Sequence, residues 1–254
     1  MARPDGAPAD QTLAEGDAAR VPAQDSADDG ILLAGVHLLL DPAGALYWPE
    51  ERLLVVADLH LEKGSAFAAR GVPLPPYDSR ATLALLERIA ARWQPRAIVA
   101  LGDSFHDRGA AARLGSDEHA SLAALGRGRE MIWIAGNHDP DPAPGLGGNH
   151  LDLLRLGPLT LRHEPAPGFV RGEIVGHFHP VARLVQRGRS LRRRCFATDG
   201  SRLVMPALGA YAGGLNIRDA ALAGLFVRDY AAHLVGAART YRIAHHACLP
   251  DRAG

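Results

Sequence analysis

The chain has 254 residues, enough to bury a sizeable core in one α/β domain, and 47% of them are hydrophobic, as in a globular protein. Lysine plus arginine (28) balance aspartate plus glutamate (28), which excludes polyanion recognition by a field of the whole molecule; any affinity for anions has to be local. Cys195 and Cys248 are too few for a disulfide framework and lack zinc-site spacing, so reduced structural thiols are expected.

The opening thirty residues are rich in Ala, Asp, Pro and Gly, almost free of large apolar side chains, and contain no apolar segment of a signal peptide. Residues 1–30 are therefore expected to be a disordered tail and 31–254 a single domain. No later apolar run approaches the ~20 residues needed to cross a bilayer. No membrane association and a cytoplasmic location are expected.

After the tail, ILLAGVHLLLD and ALYW read as strands separated by the turn-forming DPAG, and LLVVAD follows as the next strand. In DSRATLALLERIAARW the apolar residues Leu83, Leu86, Ile89, Ala90 and Trp93 recur at helical spacing, with Asp78 or Ser79 as N-cap and Pro95 closing the segment. RAIVALG is a further strand, SDEHASLAALGR a further helix and EMIWIAG a strand again. Strand and crossover helix in alternation predict a parallel sheet, whose strands are buried on both faces and whose ligands gather beyond the carboxyl ends. Past residue 150 the texture changes to short runs such as LTLRH, GEIVGH, RLVMPALG and LAGLFVRDY, which read as a β-rich second half. Two sheets with helices outside, an αββα sandwich of the α/β class, is the expected architecture.

The apolar runs finish in one kind of chemistry. LLVVA ends in Asp58 and His60, AIVALG in Asp103, MIWIAG in Asn137, His138 and Asp139, LTLR in His163, and EIVG in His177 and His179. Asp58 and His60, at i and i+2 of an extended segment, would point the same way and could reach one ligand. Carboxylates, an amide oxygen and neutral imidazoles form a mixed O/N donor set that suits Mn, Fe or Zn better than Ca or Mg. They are too many for one ion. Two metals roughly 3.5–4 Å apart are the arrangement that drives in-line displacement at phosphorus.

In this order DLH, GDSFHD, GNHD, a lone His after a strand, and GHFH resemble the blocks of the calcineurin-like metallophosphoesterases, over about residues 53–180. DLHLEKGSAFAARGVPLPPYDS, GDSFHD, GHFHP and PALGAYAGGLN further resemble the bacterial ligase-associated DNA damage response endonucleases, over roughly residues 31–220. The resemblance implies that Asp58, His60 and His179 hold one metal, that Asn137, His163 and His177 hold the other, and that Asp103 bridges them. The metals would be Mn2+ first, with Fe or Zn as alternatives. It implies that His138 stabilises developing charge or protonates the leaving oxygen, with Asp139 fixing its tautomer, and that a hydroxide bridging the metals is the nucleophile. It implies DNA as substrate, a role in DNA repair, and association with a DNA ligase, a helicase and an exonuclease.

Several residues stay open at this level. His106 and Asp107 of GDSFHD are candidates for contacts behind the ligands or to substrate. His150, in the Gly-rich APGLGGNH, competes with His163 as the isolated histidine; His163 is preferred because it directly follows a strand. His37, His119, His233, His245 and His246 match no block. The run QRGRSLRRRCF gathers Arg192, Arg193 and Arg194 with Arg187 and Arg189, and reads either as a solvated hairpin or as phosphate contacts beside the metal site. LEKG and GAYAGGLN read as turn-forming loops. Besides a nuclease, a phosphoesterase for small nucleotides or phosphoproteins fits the same metal core. A non-catalytic scaffold would predict missing ligands, and the chain keeps them all.

Overall fold

The computed structural model describes residues 30–251, apart from 73, 142 and 144. The tail expected over residues 1–30 lies outside the described residues except for Gly30, which opens the first strand.

ILLAGVHLLLD is a hairpin rather than one strand. β1 (Gly30–Leu33) and β2 (Val36–Leu40) pair antiparallel across Ala34 and Gly35, both at positive φ (52° and 91°). This is the turn geometry that matches strand twist, and Gly35 adopts it without strain. β3 (Leu46–Trp48) and β4 (Leu53–Val56) continue the meander. From β4 the pairing becomes parallel through β5 (Ala97–Leu101), β6 (Glu130–Ile134) and β7 (Asn149–Leu151), giving a seven-stranded sheet ordered β1-β2-β3-β4-β5-β6-β7. His150 thus lies in β7, not in a loop, where it stacks on Trp133 of the neighbouring strand.

α1 (Lys63–Ala69) arises from the segment read as a loop: Gly64 lies inside it because a Cβ there would strike the Asp78 carboxylate. α2 (Asp78–Trp93) has the predicted bounds but not the predicted cap. Asp78 is instead buried and accepts the Gly64 N–H (2.9 Å), and the Ser79 hydroxyl accepts the Glu62 N–H (2.7 Å), so both side chains dock α1 and its entry. The helix ends where Gln94 turns left-handed (φ 47°) ahead of Pro95. α3 (Ser116–Gly126) carries Asp117 and Glu118 in its first turn, where they complement the helix dipole.

The second sheet has eight strands. β8 (Leu153–Leu156), β9 (Leu159–Arg162), β10 (Glu173–Val175), β11 (Val181–Gln186), β12 (Arg189–Thr198), β13 (Arg202–Val204), β14 (Ala231–Val235) and β15 (Thr240–Ala244) are ordered β15-β14-β12-β13-β10-β9-β8, with β11 paired to β12. LAGLFVRDY is not a strand: it spans the end of α4 (Ala220–Ala223) and the turn that precedes β14.

Alternation along the strands sorts the core into layers. Leu54, Val56, Ile98 and Ala100 face Leu83, Leu86 and Ile89 of α2 and Leu122 and Leu125 of α3. Leu53, Val55, Val99 and Leu101 face Leu161, Ile174, Phe196 and Leu203 of the second sheet. Val175, Cys195, Ala197 and Val204 look outward to Leu222 of α4, Ile217 and Cys248. Burying each large aliphatic side chain contributes roughly 1.5–3 kcal/mol, so the order helix, sheet, sheet, helix follows from which faces are apolar. Both cysteines are free and buried. A buried arginine–carboxylate pair lies away from the carboxyl strand ends: Arg202 donates to Glu173 (2.6 Å) and also to the carbonyls of Ala166, Gly168 and Leu225, fixing the loop that follows His163. No helix among the described residues is long and apolar enough to cross a membrane.

Candidate metal centre

The parallel strands β4, β5 and β6 of one sheet and β9 and β10 of the other deliver their carboxyl ends to a common place. Asp58 and His60 follow β4, Asp103 follows β5, Asn137 and His138 follow β6, His163 follows β9, and His177 and His179 follow β10. Asp58 and His60 do not share a face by being extended. Asp58 (φ 53°), His60 (44°), Asp103 (46°), His177 (67°) and His179 (46°) all take the left-handed backbone that L side chains avoid. Strain of this kind costs on the order of 1–3 kcal/mol per residue and persists only where the surroundings over-determine it.

Glycines supply that determination. A Cβ on Gly102 would meet the His163 ring, one on Gly136 would strike the Asp103 backbone and the Asp139 carboxylate, and one on Gly176 would lie 2.7 Å from an Asp58 oxygen. Each is the glycine just before a candidate ligand in ALGD, IAGN and IVGH, a role the motif reading did not assign although the repeated placement was visible. Two of the three glycines of GAYAGGLN act likewise: Gly209, which also opens a turn closed by the Ala212 N–H, presses on the backbone carbonyls of Leu59 and Asp58, and Gly214 on the carbonyl of His179, whereas Gly213 has open space around it.

The resulting donor set converges. Asp58, His60 and His179 form one group, with the two imidazole Nε2 atoms 3.2 Å apart and His179 Nε2 3.2 Å from Asp58 Oδ1. His163 Nε2 lies 3.4 Å from Asp103 Oδ2 and 3.0 Å from Asn137 Oδ1, and His177 Nδ1 lies 2.9 Å from that same amide oxygen. Asp103 stands between the groups, its Oδ2 also 4.0 Å from His60 and 3.9 Å from His138. Imidazole nitrogens crowded on one another and on carboxylates are what a shared divalent cation requires, so these residues fit the ions the sequence implied. A third group, His60, His106 and His138, was not foreseen as a unit.

Tautomers are set from behind. His163 Nδ1 donates to the Leu101 carbonyl (3.2 Å), leaving Nε2 to face the carboxylates. His138 Nδ1 donates to the carbonyl of His106 (2.8 Å), and its partly exposed Nε2 faces outward beside Asp103. Asp139 therefore does not fix the His138 tautomer. Its Oδ2 accepts the Phe105 N–H (3.0 Å), holding the loop that carries both Asp103 and the His106 carbonyl. His106 reaches the centre by its ring as well, stacked on His138 at 5.5 Å, whereas Asp107 turns away to pair with Arg113 (2.7 Å). Lys63 sits nearby: its ammonium donates to the Tyr211 carbonyl (3.0 Å), and burial lowers its pKa.

The electrostatics follow from this crowding. Burial, reinforced by His179, drives the His60 pKa down to about 3, so the ring is neutral near neutrality and one of its nitrogens is a lone-pair donor. Burial opposes charge on Asp103 too, but the His163 hydrogen bond and charge outweigh it and hold the carboxylate at about 2. For His163, burial is outweighed by its hydrogen bond to Asp103 and the Asp58 and Asp103 charges, which raise it to about 9. Asp139 is raised to about 6, chiefly by burial.

The arginine run is a hairpin, β11 against β12, and strand alternation divides it. Arg192 is committed to Asp251 (3.2 Å) and the Gly214 carbonyl (2.7 Å), and Arg194 to the Ala207 carbonyl (2.6 Å), while Arg193 projects from the opposite face. The three do not form one phosphate-facing row.

Fold and donor set together define a metal-dependent hydrolase of the two-sheet sandwich class. The sequence profile of the calcineurin-like phosphoesterases matches residues 51–199, and the chain belongs to that family. It is similar to the crystal structure of Pseudomonas putida nuclease MPE, with 32% identity, a TM-score of 0.65, and 84% of this chain and 98% of that one covered. It also aligns with Yfce, a phosphoesterase from E. coli, at 17% identity and a TM-score of 0.35, over 71% of this chain and 86% of that one. No curated protein matches the chain in sequence.

Proposed function

We propose that the protein is a dimetal phosphodiesterase that cuts DNA and acts in DNA repair in the cytoplasm, as a single domain from residue 31 onward. The observation that carries this reading is the meeting of Asp58, His60 and His179 with Asp103, His163, Asn137 and His177 at the strand ends of both sheets. The 32% identity to a nuclease supports the choice of DNA over small nucleotides or phosphoproteins.

Asp58, His60 and His179 would hold one ion, Asn137, His163 and His177 the other, and Asp103 would join them, with Mn2+ the preferred metal and Fe or Zn compatible with the same donors. When bound, a pair of divalent cations supplies charge neutralisation at phosphoryl oxygens and water acidified to near neutrality. His138 presents Nε2 beside Asp103, where it donates a proton to the leaving oxygen, and the His106 carbonyl keeps Nδ1 protonated throughout. Asp139 keeps the Asp103–His106 loop in place. A ligase, a helicase and an exonuclease are the partners that the sequence resemblance implies for such a repair nuclease.

Purified protein assayed with Mn2+, Fe2+, Zn2+ and Mg2+ on a bis-aryl phosphodiester, an aryl phosphomonoester, supercoiled DNA and single-stranded DNA tests the reading. Diester hydrolysis and strand cleavage in the same metal are expected. Turnover of the monoester alone would overturn it.

A further inference from the structure

Loop 207–212 lies between the metal centre and α2. On its inner side Leu208 N–H donates to the Ala57 carbonyl and Gly209 N–H to the Asp58 carbonyl (3.1 Å), so it is fastened to the backbone of the candidate ligands. On its outer side Ala210 N–H donates to the Thr82 hydroxyl (3.1 Å) of α2. Between this loop and the helix runs an open groove of about 370 Å³ whose lining includes Arg88, Arg194, Thr82, Gly209 and Ala210.

Its chemistry is one-sided. Both ionic side chains in the lining are guanidiniums, and no acid contributes. Arg194 is bonded to the carbonyls of Ala207 (2.6 Å) and Ala43 (3.5 Å) and has no carboxylate partner among the described residues, so its positive charge is oriented but not neutralised there. Arg88 is exposed and makes no hydrogen bond or ion pair among the described residues. Arg194 is also tied to the ligand loop, because it pairs with Val181 in the β11–β12 ladder and the next residue, Cys195, donates to the Pro180 carbonyl. From Thr82 to Arg88 the helix advances about 9 Å, and one DNA strand carries a charge per roughly 3.4 Å of duplex axis. No aromatic ring lines the groove, so it offers no platform for stacked bases.

We propose that this groove is a phosphate track that carries a polynucleotide backbone away from the metal centre, with Arg194 at its inner end and Arg88 at its outer end. The proposal rests on the nuclease reading and deepens it: recognition here is of backbone, not of base. It also divides the arginine run, giving a substrate contact to Arg194 and leaving Arg192 to the fold.

The test uses two single variants of the full chain. Arg88→Ala removes the outer cation. Ala81→Glu places a carboxylate in the lining from an exposed position in the first turn of α2, where helix geometry favours acid. For each, binding to a single-stranded oligonucleotide and to its abasic counterpart is measured across a salt series, and the ratio of DNA to bis-aryl diester kcat/KM is determined. Arg88→Ala should lower the log–log salt slope by about 0.7 and weaken binding about fivefold near 0.15 M salt. Ala81→Glu should lower the DNA-to-diester ratio in the same direction, and abasic and normal strands should lose equally. Unchanged salt slopes in both variants, with a wild type that binds and cuts DNA, would overturn the track and leave the nuclease reading standing. A wild type that hydrolyses the diester but neither binds nor cuts DNA would overturn both. Equal losses on diester and DNA would assign Arg88 to the fold and overturn the track.

Discussion

The strand-end loops and the β11–β12 hairpin both looked rich in chemistry, yet the fold treats them in opposite ways. In the loops, residues distant in sequence are driven together: Asp58 and His177 are 119 positions apart, and the His177 N–H lies 3.1 Å from both Asp58 oxygens. In the hairpin, residues adjacent in sequence are driven apart, because alternation sends Arg192 and Arg193 to opposite faces. A cluster along the chain is thus a poor guide to a cluster in space on a strand, whereas single residues at the ends of parallel strands are a good one. Parallel strands bring all their carboxyl ends to one edge. Where the loops are strained at the ligands and wedged by glycines, the hairpin confines its left-handed backbone to the turn at Arg187 and Gly188, and Arg192 and Arg194 satisfy carbonyls and a carboxylate.

The largest effect should come from breaking the joint between the two donor groups. Asp103→Asn removes a charge that faces His60, His138 and His163, and should lose both metals and bring diester turnover to background with the fold retained. Metal analysis beside circular dichroism checks this, and a variant that keeps both ions would refute the joining role.

His138→Ala should keep its metals and lose roughly 10²–10⁴-fold in rate, the usual range for a positioned acid or base. Metal content falling in step with rate would make His138 a ligand instead.

The glycine wedges sharpen the contrast next. Gly136→Ala drives a methyl into Asp103 and should cost about 1–3 kcal/mol by overpacking, besides lowering metal affinity. Gly213→Ala, with open space around its Cα, should leave both unchanged. Denaturant melts of the pair decide it.

Metal affinity should itself depend on pH. His163, raised to about 9, carries a proton at pH 7 that a cation must displace, so affinity should rise as pH increases toward 9. Competition with one proton gives about tenfold per pH unit. Calorimetry in buffers of different ionisation enthalpy would detect the released proton, and a flat profile would remove His163 from the ligand set.

The smallest effect belongs to the hairpin. Arg192→Ala breaks an exposed pair with Asp251 and should change stability by about 0–1 kcal/mol. It should leave the salt slope of DNA binding untouched. A fall in that slope would mean that Arg192 also meets the strand.

The sequence by itself determined the alternation of strands and helices, the bounds of α2, and which carboxylates, amide and imidazoles stand just past the buried strands. Each of these depends on local spacing: apolar periodicity, a proline after a helix, a carboxylate or imidazole just past a buried run. Only the tertiary structure decided that ILLAGVHLLLD folds back on itself, that Asp78 and Ser79 dock α1 rather than cap α2, and that Asp139 serves the Phe105 loop while the His106 carbonyl orients His138. The same holds for the division of Arg192, Arg193 and Arg194. These outcomes depend on which neighbour a polar group meets across the fold, and a hydrogen bond between residues 32 apart, such as that from His138 to His106, leaves no periodic trace in the chain.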